Sequence, residues 1–177
     1  MPKRRTLCLL CTALSKRYTS DKPSLEAVSL QADVDTIAAV IGPSGAGKTT
    51  LLRSLNQLRK DDEGQVCLDD VDLRQLSKHD LQKARRNIGM IFQNYNLIDA
   101  LSVLENVLHG CLGAKSTIAG MLAHYTAEEK QEAMTLIDEM GLSDFAYTAC
   151  KHLSGGQKQR VALARCLLRD KSILLMD

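Results

Sequence analysis

The residues best suited to chemistry lie in Gly42-Pro43-Ser44-Gly45-Ala46-Gly47-Lys48-Thr49. The run fits G-x-x-x-x-G-K-[ST], in which glycines let the backbone curl until successive N–H groups point inward at phosphate oxygens. Lys48 brings a point charge toward β- and γ-phosphates, the Thr49 hydroxyl can ligate Mg²⁺, and Thr50 follows in the same helical turn. A second element is Asp177, a carboxylate at the end of the apolar run Ser172-Ile173-Leu174-Leu175-Met176. Beside a phosphate loop, such a carboxylate holds Mg²⁺ directly or through water.

A third element is Leu153-Ser154-Gly155-Gly156-Gln157, followed by Lys158-Gln159-Arg160. Ser154 is placed to cap a helix, and two glycines expose the first N–H groups. The helix start therefore offers donors and partial positive charge to an anion. An ordinary capped helix explains Ser154 and Gln157 but not the glycine pair, which weakens a first turn.

With this pentapeptide the chain resembles the ATP-binding cassette (ABC) family, whose signature is LSGGQ. The resemblance implies a P-loop NTPase (RecA-like) α/β core. It adds an N-terminal antiparallel β subdomain and an inserted α-helical subdomain carrying the signature. It divides a single nucleotide-binding domain into 1–93 (β subdomain and P-loop core), 94–165 (helical signature subdomain) and 166–177 (return to the core). ATP and Mg²⁺ are the implied cofactors. Two subunits, a homodimer or a paired ABC subunit, would close head-to-tail over two nucleotides, the signature of each meeting the γ-phosphate held by the other. Gln93 matches the family's Q-loop glutamine, which touches Mg²⁺ or the attacking water. Tyr18 stands where the family places an aromatic that stacks on adenine.

The resemblance also implies residues beyond Asp177: a Glu that polarises the attacking water, the D-loop, the switch-loop His and the last strands. A chain without them is expected to be incomplete at its C-terminus, binding nucleotide but hydrolysing it poorly, since general-base catalysis is worth about 10²–10⁴ in rate. A local departure is Asp35-Thr36, where the family usually has Gly-Glu.

Within the family, Phe92-Gln93-Asn94-Tyr95-Asn96-Leu97-Ile98, the stretch Leu101 to Leu108, Leu112-Gly113 and Phe145-Ala146-Tyr147 look like the ATPase subunits of phosphonate importers. Amino-acid, methionine and lipoprotein-release ATPases share much of the pattern. The implied partners are a transmembrane permease and a solute-binding protein, and the implied location is the cytoplasmic face of a bacterial inner membrane. A soluble ABC protein acting on nucleic acid is the next reading, although no coiled-coil insertion or basic linker is present. A P-loop kinase would explain Lys48 and Asp177 but leave Ser154-Gly155-Gly156 without a role.

The elements that must position these residues are legible from pattern. Val28, Leu30, Ala32 and Val34 alternate as in a half-buried strand, and Val66-Cys67-Leu68 follows the turn Asp61-Asp62-Glu63-Gly64. Thr36 to Ile41 is almost wholly apolar and stops at Gly42, which predicts a strand buried on both faces. Ile88 to Phe92 reads as an apolar strand, and Ser172 to Met176 as another buried strand, ending in the Asp177 carboxylate. Leu51, Leu52, Leu55 and Leu58 mark a helix. Ser102-x-x-Glu105, Thr126-x-x-Glu129 and Ser154-x-x-Gln157 each fit a capping box. The middle helix should bury Ala133, Leu136, Ile137 and Met140 and close at Gly141, and the last should run to about Arg169.

The 177 residues suit one domain, and 45% apolar with 25% charged residues excludes disorder. A net charge of +2 removes the electrostatic case for a nucleic-acid binder. No run approaches the ~20 apolar residues of a membrane helix. The basic Met1 to Arg5 and apolar Thr6 to Leu14 outline a secretory leader, but no A-x-A-like cleavage site follows, so a buried first strand is expected. Of six cysteines only Cys8 and Cys11 form C-x-x-C, and residues three apart on a strand face opposite ways. The cysteines are therefore expected as small buried hydrophobes.

Overall fold

In a computed structural model, residues 9–18, 23–58, 62–114, 125–169 and 171–177 are described. The basic Met1 to Arg5, Cys8 and the first turn residue Asp61 lie outside them. The chain divides into two units, Met1–Arg85 with Asp177, and Arg86–Met176.

In the first unit, alternating apolar positions build an antiparallel sheet of β1 (Leu9–Arg17), β2 (Pro23–Ala32), β3 (Glu63–Leu68) and β4 (Val71–Asp72), in the order β2-β1-β3-β4. Strand β1 is central, Leu9 facing Ala32 on one side and Leu68 on the other. Its inward residues Leu9, Cys11 and Leu14 are buried. Strand β2 starts earlier than the alternation suggested, and Val34 falls in the turn beyond it. Helix α1 (Lys48–Leu55) buries Leu51 and Leu55, whereas Leu58 lies past its end and is exposed. Helix α2 (Lys78–Arg85) buries nothing.

The run Thr36 to Ile41 departs from expectation. It forms no strand, and Ile37 and Ile41 are 101% and 92% exposed. An apolar run becomes a buried strand only when neighbours take up its N–H and C=O groups on both edges. No described strand pairs with this one.

In the second unit, β5 (Ile88–Ile91) and β6 (Ile173–Met176) pair in parallel, Ile88 with Ile173 and Ile91 with Met176. The apolar run expected as a strand forms β5, and all four of its residues are buried. Strand β6 is not wholly buried: Leu175 is buried while Leu174 and Met176 are exposed, and among the described residues no further strand pairs along its other edge.

Among the described residues, three helices carry this unit's core: α3 (Val103–Leu108), α4 (Ala127–Glu139) and α5 (Gly155–Leu167). Each begins with the capping box written in the sequence, at Ser102/Glu105, Thr126/Glu129 and Ser154/Gln157. Such caps are each worth ~1 kcal/mol. Helix α4 buries Ala133 and Ile137, with Leu136 and Met140 half-buried beside them, and Gly141 closes it at φ 63°. Val103, Val107, Ile137, Leu142, Val161 and Leu168 form the centre of the packing. Cys11, Cys111, Cys150 and Cys166 are buried thiols in no disulfide, and Cys67 is only half-buried; burial pushes the Cys111, Cys150 and Cys166 thiols up, so these three behave as apolar filler. Among the described residues no helix is long and apolar enough to cross a membrane.

Candidate nucleotide-binding site

The phosphate loop spans Gly42 to Gly47 and runs directly into α1. Gly47 is the N-cap of α1 at φ 88°, a left-handed conformation that glycine adopts without penalty. A Cβ there would stand 2.2 Å from the Ser24 carbonyl oxygen of β2, so the loop can approach the sheet only with glycine. Within the loop Ala46 donates to the Pro43 carbonyl at 3.3 Å, and Leu51 donates to Gly47 at 2.8 Å to start the helix.

Unlike α3, α4 and α5, helix α1 has no side-chain cap, and like α5 it has no acidic residue in its first turn. Its leading N–H groups and partial positive charge are thus uncommitted, which is the requirement for holding an anion. Ser44, Gly45 and Ala46 are exposed, and Lys48, Thr49 and Thr50 are half-buried. The Lys48 ammonium turns back over the loop, donating to the Gly42 and Pro43 carbonyls at 2.8 Å each. It therefore lies against the concave backbone where phosphate oxygens could replace those carbonyls.

Thr49 and Asp177, 128 residues apart, meet: the Thr49 hydroxyl donates to Asp177 Oδ1 at 2.7 Å. The other carboxylate oxygen, Oδ2, is buried without a hydrogen-bond partner. A buried carboxylate oxygen left unsatisfied is costly, and a hard cation with oxygen ligands would satisfy it. Hydroxyl plus single carboxylate suits Mg²⁺, which takes few protein ligands and completes its shell with water and phosphate oxygens. No group of three or more candidate ligand side chains occurs among the described residues, so a cage of protein ligands is not what this site offers.

Replacing Asp177 by Asn keeps an acceptor for Thr49 but removes the charge. Asp177→Asn is expected to raise the Mg²⁺ concentration for half-maximal nucleotide binding by about tenfold or more, and to leave affinity in EDTA unchanged. A titration of nucleotide binding against Mg²⁺ reads both.

Tyr18, just past β1, is 47% exposed, with the Lys16 ammonium 5.8 Å from its ring centroid. An open aromatic face with a nearby cation is a stacking surface for a planar ring.

In the second unit Gln93 is separated from the end of β5 by one residue, Phe92, and is exposed. At the start of α5 the Ser154 hydroxyl accepts from the Gln157 N–H at 3.3 Å, and Gln157 Oε1 accepts from the Ser154 N–H at 2.8 Å. Both polar side chains of the signature thus serve their own helix. The N–H groups of Gly155 and Gly156 have no acceptor within it. A Cβ at either glycine would meet nothing within 4 Å. Packing inside this chain does not demand glycine there, and the space in front of these donors is open.

The family match falls on these same elements: the ABC transporter family matches residues 25–177, which contain the phosphate loop, the signature and Asp177. This chain belongs to the ABC transporter family. Among the relatives of this ABC chain, the phosphonates import ATP-binding protein PhnC of Lactiplantibacillus plantarum is 59% identical over 164 residues, covering 93% of this chain and 64% of that protein. The PhnC of Treponema denticola is 45% identical with the same coverage, so the chain spans 64% of the length of each. Of solved structures, the dimeric form of a bacterial ABC transporter cassette superposes with a TM-score of 0.83 at 32% identity, covering 96% of this chain and 73% of that one. The same cassette in a post-hydrolysis dimer bound to ADP and Pi gives 0.81 at 33% identity, with the same coverage. The fold is accordingly the P-loop cassette with an antiparallel β-sheet and helices.

Several residues of the ABC chain escape sequence reasoning. Asn106, wholly buried, accepts from the Ile98 N–H at 2.8 Å and donates to the carbonyls of Ile98, Leu101 and Ser102 and to the Cys150 sulfur. Asp99 accepts from Lys158 of α5 at 2.8 Å. Both tie the segment after Gln93 to the neighbourhood of the signature. Their partners are chiefly backbone groups or distant residues, which leave no local spacing to read.

Proposed function

We propose that this chain is the nucleotide-binding part of an ATPase subunit that energises a bacterial ABC importer, with a phosphonate as the transported solute. The observation that carries the nucleotide reading is the Thr49–Asp177 pair, with its unsatisfied buried carboxylate oxygen, at the foot of an uncapped phosphate loop. The names of the relatives support import of phosphonates, and the dimeric and ADP-bound cassettes support nucleotide-linked pairing.

In this reading the curled backbone of Gly42 to Gly47 and the N–H groups of α1 hold the phosphates, and Lys48 exchanges its two carbonyl partners for phosphate oxygens. Thr49 and Asp177 hold Mg²⁺, which when bound offsets phosphate charge and polarises the γ-phosphate for attack. Tyr18 stacks on the adenine, and Gln93 orients the attacking water or touches the metal. The open amides of Gly155 and Gly156 take the γ-phosphate bound to a second copy. Residues 94–165 act as the subdomain that presents this cap. The assembly completes itself with a transmembrane permease and a solute-binding protein, the chain lying on the cytoplasmic face of the membrane.

Two measurements test the proposal. With a non-hydrolysable ATP analogue and Mg²⁺, sedimentation is expected to show dimers, and Gly156→Asp to stay monomeric while binding nucleotide as before. A carboxylate facing the γ-phosphate repels it, whereas the open space around Gly156 lets the side chain fold in. For the cargo, a strain lacking the gene is expected to stop growing on a phosphonate as its phosphorus source. Wild type should restore growth and Lys48→Ala should not. Undiminished growth of the deletion strain overturns the phosphonate assignment and leaves the nucleotide site standing.

A further inference from the structure

The turn after Gln93 is held in a conformation its own residues disfavour. Tyr95 donates back to the Phe92 carbonyl at 2.7 Å, which sets Gln93 and Asn94 at the corners of a turn. Tyr95 and Asn96 then both take left-handed φ values, 58° and 48°. One such residue without glycine is uncommon, and a bulky one outside glycine, Asn or Asp is more so. Two in succession at a proposed site need an external hold.

The hold comes from the signature helix. Arg165, three turns along α5 from Ser154, donates through Nη2 to the Tyr95 carbonyl at 2.5 Å and through Nη1 to the Asn96 carbonyl at 2.7 Å. The planar guanidinium fork spans the two successive carbonyls, which a lysine ammonium would contact only as a point. Burial alone is what lowers the affinity of Arg165 for its proton, and the nearby groups that oppose it are the Cys166 and Cys150 thiols. The cation is satisfied by carbonyl oxygens. Its backbone is pinned as well: a Cβ at Gly110 would lie 2.3 Å from the Arg165 carbonyl oxygen, so the 3₁₀ turn His109–Ala114 seats directly on this part of α5.

We propose that Arg165 is a positioning residue that clamps the left-handed Tyr95-Asn96 pair and so fixes where Gln93, held by β5 on its other side, presents its amide. The clamp makes the Gln93 turn and the signature helix one mechanical element. This rests on the proposed role of Gln93 at the nucleotide, and the test separates the two.

Hydrogen exchange is compared in wild type, Arg165→Gln and Arg165→Lys. In both variants exchange across 93–97 is expected to rise about tenfold or more, with α3 and α4 unchanged. Tyr95→Gly, which removes the Cβ penalty at φ 58°, should restore part of the protection in the Arg165→Gln background. Unchanged exchange at 93–97, or no recovery with Tyr95→Gly, overturns the clamp. If Arg165→Gln does not fold, Arg165→Lys carries the same comparison.

MgATP affinity is then measured for Gln93→Ala, Arg165→Gln and the double variant. Each single change is expected to weaken binding by about threefold to tenfold, and the double no further than either. Additive losses overturn the positioning role. No effect of Gln93→Ala overturns the reading of Gln93 itself, and the exchange data then decide the clamp alone.

Discussion

Lys48→Ala is expected to lower affinity for MgATP by about 10- to 100-fold. In the free protein the ammonium already lies over the loop, bonded to the Gly42 and Pro43 carbonyls. In the proposed bound state the ammonium exchanges those neutral acceptors for charged phosphate oxygens, which adds direct charge attraction to bonds until then charge-assisted only on the donor side. Alanine loses the charge-assisted bonds and also leaves two loop carbonyls unbraced. Lys48 is only half-buried, so stability should change by less than about 1 kcal/mol. Titration with a fluorescent nucleotide and a denaturation curve read the two quantities separately. Full affinity in the variant would show that the phosphates sit elsewhere.

Gly47→Ala is expected to be the most damaging single-atom change in the loop, costing about 3 kcal/mol or more of stability and abolishing nucleotide binding. The added methyl group meets two independent obstacles. At φ 88° an L-residue pays about 1–2 kcal/mol for the left-handed conformation. Its Cβ would also stand 2.2 Å from the Ser24 carbonyl oxygen and 3.2 Å from a Leu25 methyl carbon. Relief requires α1 to withdraw from β2, which takes with it the N–H groups proposed to hold phosphate. Gly45→Ala supplies the control. Gly45 has a similar φ of 79° but nothing within 4 Å of its Cβ position, so it should incur the conformational cost alone. The difference between the two variants in chemical denaturation isolates the steric part, and equal effects would mean the loop is free to move away from the sheet.

What the sequence disclosed, and what it hid, divides along range. The phosphate loop and all three capping boxes were readable because each is closed by residues three to seven positions apart, so spacing carries the geometry. The half-buried alternation of β2 was readable for the same reason. Thr36 to Ile41 misled because a strand is a property of its neighbours. The run has the composition of a strand, yet no described strand bonds to it. Strand β6 was overcalled as fully buried on the same logic, since residue type cannot tell whether a sheet has a third member. The Thr49–Asp177 contact was anticipated only by pairing one motif with another. Asn106 and Arg165 were invisible: their partners are mostly main-chain carbonyls, and those of Arg165 lie 69 and 70 residues away, with no side-chain type to mark them.

Helix α5 has 13 residues, and its open glycine pair and its guanidinium fork stand ten residues apart, about 15 Å of rigid rod. Over that length a tilt of only about 10° sweeps the far end by ~2.6 Å. Because the fork ties the Tyr95 and Asn96 carbonyls to that far end, a small rotation where a second copy met the glycines, as proposed above, would carry the Gln93 turn with it.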